Sequence, residues 1–533
     1  MRGGNAEYHP ALSARVTAQD NFPRATVADR AHRTARAISP AERLLGIPVN
    51  YYGAVEDSTS QRRPRLRELT APHTLFMGAT GSGKTLGMKL HMKSILPPSN
   101  PDYAMNFRSL VYDPKSDMIP FLVQIGLSIE RDIIVTNPFD RRSAAWDIAD
   151  DVDNPADGQA FADMVVQNGT GDAFWQVAAR EMISATIDGL NARRSTKGMS
   201  AWTLRHLVLV LDDTQALRQV LDRTEKGRGV RRDYIDASDG RLRASLNATL
   251  RSHVTPFRLI AALWDHAQYR FSLRRWAQGG GLLLVGDHYR YRESAQRANN
   301  VLVRYAFDTL MDRPGEERRD LTWLYLDELK NAGKFPNFGT MLTQGRSKGI
   351  RSVLAAQGLS TLRATFAENE EHEVLNNTGN KALMQLGSDE DAAWAERLFS
   401  TVERLRKSWN VPDDYRQQGS TTYSEVRESR VPASAFLNLP SASDQDGVLA
   451  AFYHGPGAQA SRSTVSQATL ARVLPQLRST GSAREAFVPQ GKSAFLLRPL
   501  SSGDRDQLGL SESNNGQPGE TGSRRRFHAP PSK

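Results

Sequence analysis

Cysteine is absent from the 533 residues, which excludes disulfides, thiolate metal sites and cysteine nucleophiles. The 11 histidines fall into no H-E-x-x-H or comparable spacing, so a histidine-bound metal has no support. No apolar run approaches the roughly 18 residues a spanning helix needs. The N-terminal stretch is rich in Arg, Ala and Thr without an apolar core, so no secretory leader is expected either. These absences predict a cytoplasmic chain with no transmembrane segment of its own. No internal repeat is visible, and no Asn-Lys-x-Asp guanine reader, which favours ATP over GTP. What is abundant is positive charge: 69 Lys and Arg against 59 Asp and Glu, a net +10. That balance suits an acidic polymer as partner, although charge alone also serves solubility. The length exceeds a single compact core, so two domains plus tails are expected.

Residues 78–85 read Gly78-Ala79-Thr80-Gly81-Ser82-Gly83-Lys84-Thr85, a complete G-x-x-x-x-G-K-[ST] loop. An apolar run, 73–77, precedes it, and helix-forming residues 86–95 follow, the strand–loop–helix context the motif requires. Glycines 78, 81 and 83 let backbone N–H groups turn toward a phosphate, and the helix start adds partial positive charge. Lys84 is placed to bridge β- and γ-phosphates and Thr85 to offer its hydroxyl to Mg2+. Far downstream, residues 321–328 form an apolar strand tipped by Asp327 and Glu328. Such adjacent carboxylates point different ways, so Asp327 can serve the metal shell while Glu328 polarises the attacking water. A chance glycine turn and an ordinary acid-capped strand end are the plain alternatives. Occurring together, the two motifs read as an ATP- and Mg2+-dependent hydrolase.

The rest of the chain divides by pattern. Residues 1–45 lack clear period and read as a flexible N-terminal region. Strands alternate with helices over 46–154, the first part of a nucleotide-binding domain; 109–115 ends in Asp113 and Lys115, and 132–138 is a short apolar strand. Over 155–264 apolar residues recur at three and four, an all-α insertion domain that includes a helix opened by Ser200. Strands resume over 265–455, the second part of the nucleotide-binding domain, at 281–285, 324–326, 351–357, 381–386 and 447–453. Residues 456–533 are Gly-, Ser-, Gln- and Pro-rich and read as a disordered basic tail. The fold class is therefore α/β, a P-loop domain with a parallel-rich central sheet plus an inserted all-α domain.

Several segments resemble one family, the coupling-protein ATPases of conjugation and type IV secretion (the TraD/TraG/TrwB group). They are the loop at 78–85, Val111-Tyr112-Asp113-Pro114-Lys115, Asn137-Pro138-Phe139-Asp140 with Trp146, Leu326-Asp327-Glu328, Gly345-Arg346 with Gly349, and Ala355-Ala356-Gln357. The likeness covers about residues 70–455. It implies a RecA-like motor that assembles as a homo-hexamer and moves DNA, with a relaxase and type IV secretion channel components as partners. Arg346 then resembles an arginine finger reaching a neighbour's nucleotide, and Gln357 a γ-phosphate sensor. The plainer readings are a solvated helix end and a loop cap. Arginines 62–67 are looser candidates for the same neighbour contact. Members of this family usually begin with membrane-spanning helices; none is seen here, so either a separate subunit provides the anchor at the inner membrane or this is a soluble branch that moves DNA without a dedicated channel. For DNA, the basic runs 226–232, read as an exposed loop, and Arg274-Arg275 are candidates. Two other readings stay open: a cytosolic pump of the FtsK/HerA kind, and a nucleotide-gated substrate receptor or adaptor.

Overall fold

The computed structural model describes residues 7–8, 73–96, 107–166, 173–193, 202–313, 321–327, 338–366, 370–410, 420–442, 448–455, 461–473 and 486–511. Its strands are β1 (Glu7–Tyr8), β2 (Thr74–Met77), β3 (Arg108–Asp113), β4 (Ile133–Val135), β5 (Ala145–Trp146), β6 (Tyr269–Phe271) and β7 (Gly281–Gly286). Then come β8 (Thr322–Leu326), β9 (Ile350–Ala356), β10 (Asn380–Leu383), β11 (Thr401–Asn410), β12 (Ser420–Ser429), β13 (Leu449–His454) and β14 (Ser461–Val465). Nine of them form one sheet in the order β14-β13-β10-β2-β9-β8-β3-β7-β4.

From β10 to β4 every neighbouring pair is parallel, and β13 and β14 extend one edge antiparallel. Parallel strands covered on both faces need apolar side chains on both. Leu75, Met77, Leu110, Leu324 and Leu354 accordingly join the core on one side, while Phe76, Val111, Tyr325, Val353 and Ala355 join the other. The carboxyl ends of β2, β9, β8 and β3 lie side by side, which brings Gly78, Gln357, Asp327 and Asp113 to one edge. That edge is where open α/β sheets bind ligands.

Between Pro155 and Trp264 the described elements are all helical. Their starts are set by side-chain caps: Asn154, Thr203, Asp213, Thr224 and Asp239 each accept from backbone N–H groups of the first turn. The helix expected to open at Ser200 instead runs Leu204–Asp212, because the Thr203 hydroxyl supplies the cap. Where the helices meet the sheet, Asp151 is fully buried and accepts from Trp146 Nε1 (2.6 Å), Ser272 Oγ (2.6 Å), Leu273 N (2.8 Å) and Arg274 N (3.0 Å). Burial raises its carboxyl to about 6, against the pull of those donors.

Three further features differ from the sequence reading. The ten-residue strands β11 and β12 pair as an antiparallel hairpin. In the supposedly flexible N-terminal region, Glu7 and Tyr8 pair in parallel with Tyr269 and Arg270 of β6; the rest of 1–45 lies outside the described residues. The tail assigned to 456–533 contains β14, and its residues 486–511 are folded against the protein. Arg141 N–H donates to Val488 O (2.7 Å) and Gln490 N–H to Phe139 O (3.2 Å). Further on, Arg205 donates to the Arg498 and Pro499 carbonyls and to Asp504 (2.8 Å), and Arg223 to the Leu508 carbonyl. Leu508 and Leu510 are buried. Backbone pairing and a few apolar anchors order a segment whose composition is that of a linker. It runs from the Asn137–Asp140 turn across to the helices at 204–221, a strap between the two parts of the molecule.

Candidate nucleotide site

Residues 78–83 turn sharply between β2 and the helix Lys84–Ile95. Gly81 (φ 83°) and Gly83 (φ 104°) hold left-handed conformations that other residues enter only with strain. At Gly83 space is also lacking, since a Cβ there would come 2.5 Å from Leu449 Cδ1. The loop is fastened from outside. Gly78 N–H donates to Ala356 O (3.2 Å), Ala79 N–H to Gln385 O (2.7 Å), and Ser441 Oγ to the Gly81 carbonyl (3.0 Å).

Lys84 Nζ donates to the carbonyls of Gly78 (2.7 Å) and Ala79 (2.8 Å), so its ammonium curls over the loop. Thr85 Oγ1 donates to Asp327 Oδ2 at 2.8 Å, joining residues that are 242 apart in sequence. A cavity of about 290 Å³ opens here, lined by loop residues Thr80, Gly81, Gly83, Lys84 and Thr85 together with Lys115, Asp327, Gln357 and Thr361. The paired Thr85 and Asp327 oxygens suit Mg2+, a hard cation that takes few protein ligands and completes its shell with water and phosphate. Among the described residues no group of three His, Asp or Glu could hold a metal by itself. Glu328, the expected water-polarising residue, lies outside the described residues, as do arginines 62–67.

Sequence reasoning noticed Lys115 without giving it a role, and missed Thr361 and Ser441. Thr361 reaches the cavity from the helix Leu359–Thr365 behind β9; Ser441 comes from a stretch with no motif. Asp113, at the tip of β3, does not line the cavity. Its two oxygens accept the N–H groups of Asp117 (3.2 Å) and Met118 (3.0 Å), fixing the turn that carries Lys115. Burial, with the nearby Asp117 carboxylate, lifts it to about 7.

Arg346 is not brought to this cavity. It is exposed, and follows the helix Phe338–Gly345 at the amino end of β9, whereas Gln357 follows the carboxyl end. Seven strand residues separate those ends, roughly 20 Å. The turn beside Arg346 is fixed by His73, which is fully buried: its Nε2 bonds the Leu342 carbonyl (2.8 Å) and its Nδ1 accepts Ser352 N–H (3.0 Å). Since Nδ1 accepts, Nε2 carries the proton and the ring is neutral. Burial pushes His73 down to about 4, with Arg351 and Arg346 adding to the effect. Unfolded, it titrates near 6.5, so between pH 6.5 and 4 the unfolded chain binds the extra proton and stability falls with acidification. Asp113 and Asp151, raised in the fold, act with the opposite sign over that range. His73→Phe strands two buried polar groups, with an expected cost of about 2–4 kcal/mol. Urea unfolding should show a lower midpoint, and a smaller loss of stability between pH 6.5 and 4 than the parent shows.

With the geometry in hand, comparison with known proteins is decisive. A family model for the type IV secretion-system coupling protein DNA-binding domain matches residues 64–456. The chain belongs to this family. Coupling protein TraD of Escherichia coli (strain K12) is 22% identical over 316 residues, an alignment spanning 57% of this chain and 42% of TraD. The bacterial conjugative coupling protein TrwBΔN70, unbound, superposes with a TM-score of 0.57 at 22% identity, over 79% of this chain and 88% of that one. TrwB in complex with ADP and Mg2+ gives 0.57 at 20% identity, over 81% and 94%. These likenesses establish the fold: a RecA-like P-loop domain carrying an all-α domain.

In a coupling-protein family member the placement of cations matters, and in the runs expected to contact DNA most cations are internally paired, Arg228 excepted, which is exposed and donates to the Asp222 carbonyl (3.0 Å). Residues 225–230 are helical and 231–235 form a π-helical turn, not an open loop. Lys226 pairs with Asp188 (3.1 Å), Arg231 with Asp222 and Asp236, and Arg232 with Asp233 (2.8 Å). Arg274 pairs with Asp153 and Asp157, and Arg275 with Asp150 (3.0 Å). By contrast the helix Gly240–Trp264 contains no acid at all, and Arg241, Arg243 and Arg251 on it are exposed without an ion-pair partner among the described residues.

Proposed function

We propose that this chain is an ATP-driven DNA translocase of the conjugative coupling type. In this reading it assembles as a homo-hexamer, recruits relaxase-bound DNA and delivers it to type IV secretion channel components, held near the inner membrane by a partner. The observation that carries the reading is the Thr85–Asp327 contact beneath a glycine-rich phosphate loop, in a chain of the coupling-protein DNA-binding family. No helix among the described residues is long and apolar enough to cross a membrane.

Each residue then has a task. Gly78 to Gly83 present N–H groups to the phosphates, and Lys84 leaves the loop carbonyls for the β- and γ-phosphates. Thr85 and Asp327 would hold Mg2+, which when bound would neutralise phosphate charge. Glu328 polarises water, Gln357 reports the γ-phosphate to β9, and Arg346 serves the neighbouring subunit. The arginines at 241, 243 and 251, without an ion-pair partner among the described residues, are the better candidates for phosphate-backbone contacts, because a cation already held by a carboxylate releases fewer counterions on binding DNA. Steady-state ATPase assays with and without single- and double-stranded DNA test the reading. Turnover that rises with DNA and steepens with protein concentration is expected. Turnover indifferent to both would replace the motor by a nucleotide-gated receptor.

A further inference from the structure

Beyond β7 the chain reads Asp287-His288-Tyr289-Arg290-Tyr291-Arg292, closing in a 3-10 turn at Tyr289–Tyr291. The turn has an anchored side and an open side. Tyr291 stacks on Phe139 (centroids 5.4 Å apart, planes 3° apart) and also meets His288 and Phe495. Asn299 Nδ2 donates to the Gly286 carbonyl (2.8 Å), Asn137 Nδ2 to the Asp287 carbonyl (3.4 Å), and His288 N–H to Asp287 Oδ1 (2.7 Å). A turn fastened at so many points does not fold its outer residue inward. Tyr289 is 87% exposed, the most exposed of the four large apolar side chains that reach solvent among the described residues. The Arg292 guanidinium lies over its ring, 5.3 Å from the centroid, and Arg290 is exposed beside it with no ion pair among the described residues.

We propose that Tyr289 and Arg290 form a contact point for single-stranded DNA, the ring stacking on an unpaired base and Arg290 taking the adjacent phosphate; this rests on the DNA-translocase reading. An aromatic ring held outward with Arg292 on one face, and with exposed Arg290 close by over the Tyr291 ring (5.9 Å from its centroid), suits a polyanion with flat bases better than an apolar protein surface. Phe174, by comparison, rests edge-on against Trp175 with a good half of its surface covered. Position agrees with chemistry. The turn follows β7 on the same carboxyl edge as Asp327, two strands away in the order β8-β3-β7, and is joined through Phe139 to the Asn137–Asp140 turn. A base gripped here is therefore linked by rigid elements to the strands that frame the nucleotide site. Stacking tolerates any base, because every base has a π-face, so the contact discriminates little between sequences.

The test uses the full chain and a fluorescent oligothymidine, read by anisotropy across a salt series, with a blunt duplex as comparison. Tyr289→Ala is expected to weaken oligothymidine binding roughly 5- to 100-fold and duplex binding much less, while Tyr289→Phe stays near the parent. Arg290→Ala should lower the slope of log K against log salt by about one contact. Unchanged urea midpoints would certify the fold of each variant. If the parent binds oligothymidine and Tyr289→Ala binds it equally, this inference falls and the translocase reading stands. If the parent binds no DNA at all, both fall. If Tyr289→Ala instead lowers the assembly state in sedimentation with DNA affinity intact, the turn is a subunit contact and the inference is overturned.

Discussion

Mixing Arg346→Ala subunits with Lys84→Ala subunits is expected to restore ATPase activity that neither variant has alone. Each homogeneous variant should lose about 10³-fold or more in turnover, the range for removing an arginine finger. The reason lies in the geometry of one strand. β9 carries Gln357 to its own cavity at one end, while Arg346 enters at the other, roughly 20 Å away. A guanidinium at that end cannot reach the γ-phosphate bound by its own loop, so a catalytic Arg346 serves a neighbour. In a mixed ring, a Lys84→Ala subunit still offers Arg346 to an Arg346→Ala neighbour whose phosphate loop is intact. Activity plotted against mixing ratio should pass through a maximum. A flat line at zero would return Arg346 to the status of a solvated helix end.

Asp327→Asn should separate nucleotide binding from metal use. Asp327 accepts the Thr85 hydroxyl at 2.8 Å, so the two side chains already converge and would together hold a divalent cation. Replacing the carboxylate by an amide keeps the shape and removes the charge that a divalent ion requires. Turnover should fall by roughly a hundredfold or more, since charge stabilisation by a bound metal is worth several kcal/mol. Affinity for a fluorescent ATP analogue measured in EDTA should remain close to the parent value, while the gain on adding Mg2+ disappears. An undiminished Mg2+ effect would remove Asp327 from the metal shell.

What was legible in the sequence was local. The loop at 78–85 is a run of eight residues between an apolar strand and a helix, so its conformation and the phosphate-bearing class of its ligand follow from neighbours in sequence. Asp327 and Gln357 were readable because each ends an apolar run, which marks a strand tip. Residues that arrive from a distance left no such trace: Thr361 and Ser441 acquire their positions from the order of strands, and nothing in their own surroundings distinguishes them. Charge was misleading for the same reason. The run Lys226–Arg232 looks basic in one dimension, yet Asp188, Asp222, Asp233 and Asp236 neutralise it in three. Composition likewise hid the strap at 486–511, whose hold depends on backbone hydrogen bonds that composition does not encode.

The strap also sets an order of events at the ribosome. Every element it grips, from the Phe139 turn to the helix holding Arg205 and the turn holding Arg223, is synthesised before it. The sheet and the helical insertion are able to form as units while the chain is still emerging, but the fastening between them waits until residues 486–511 are released. During that interval the helical part is joined to the sheet by its two chain crossings and by the helix Arg292–Met311, which packs against Pro155–Val165 and Gly240–Trp264, while the Asn137–Asp140 turn lacks the segment that bridges to it at Pro489. A nascent chain arrested upstream of residue 486 would therefore carry both folded halves with the final joint still open.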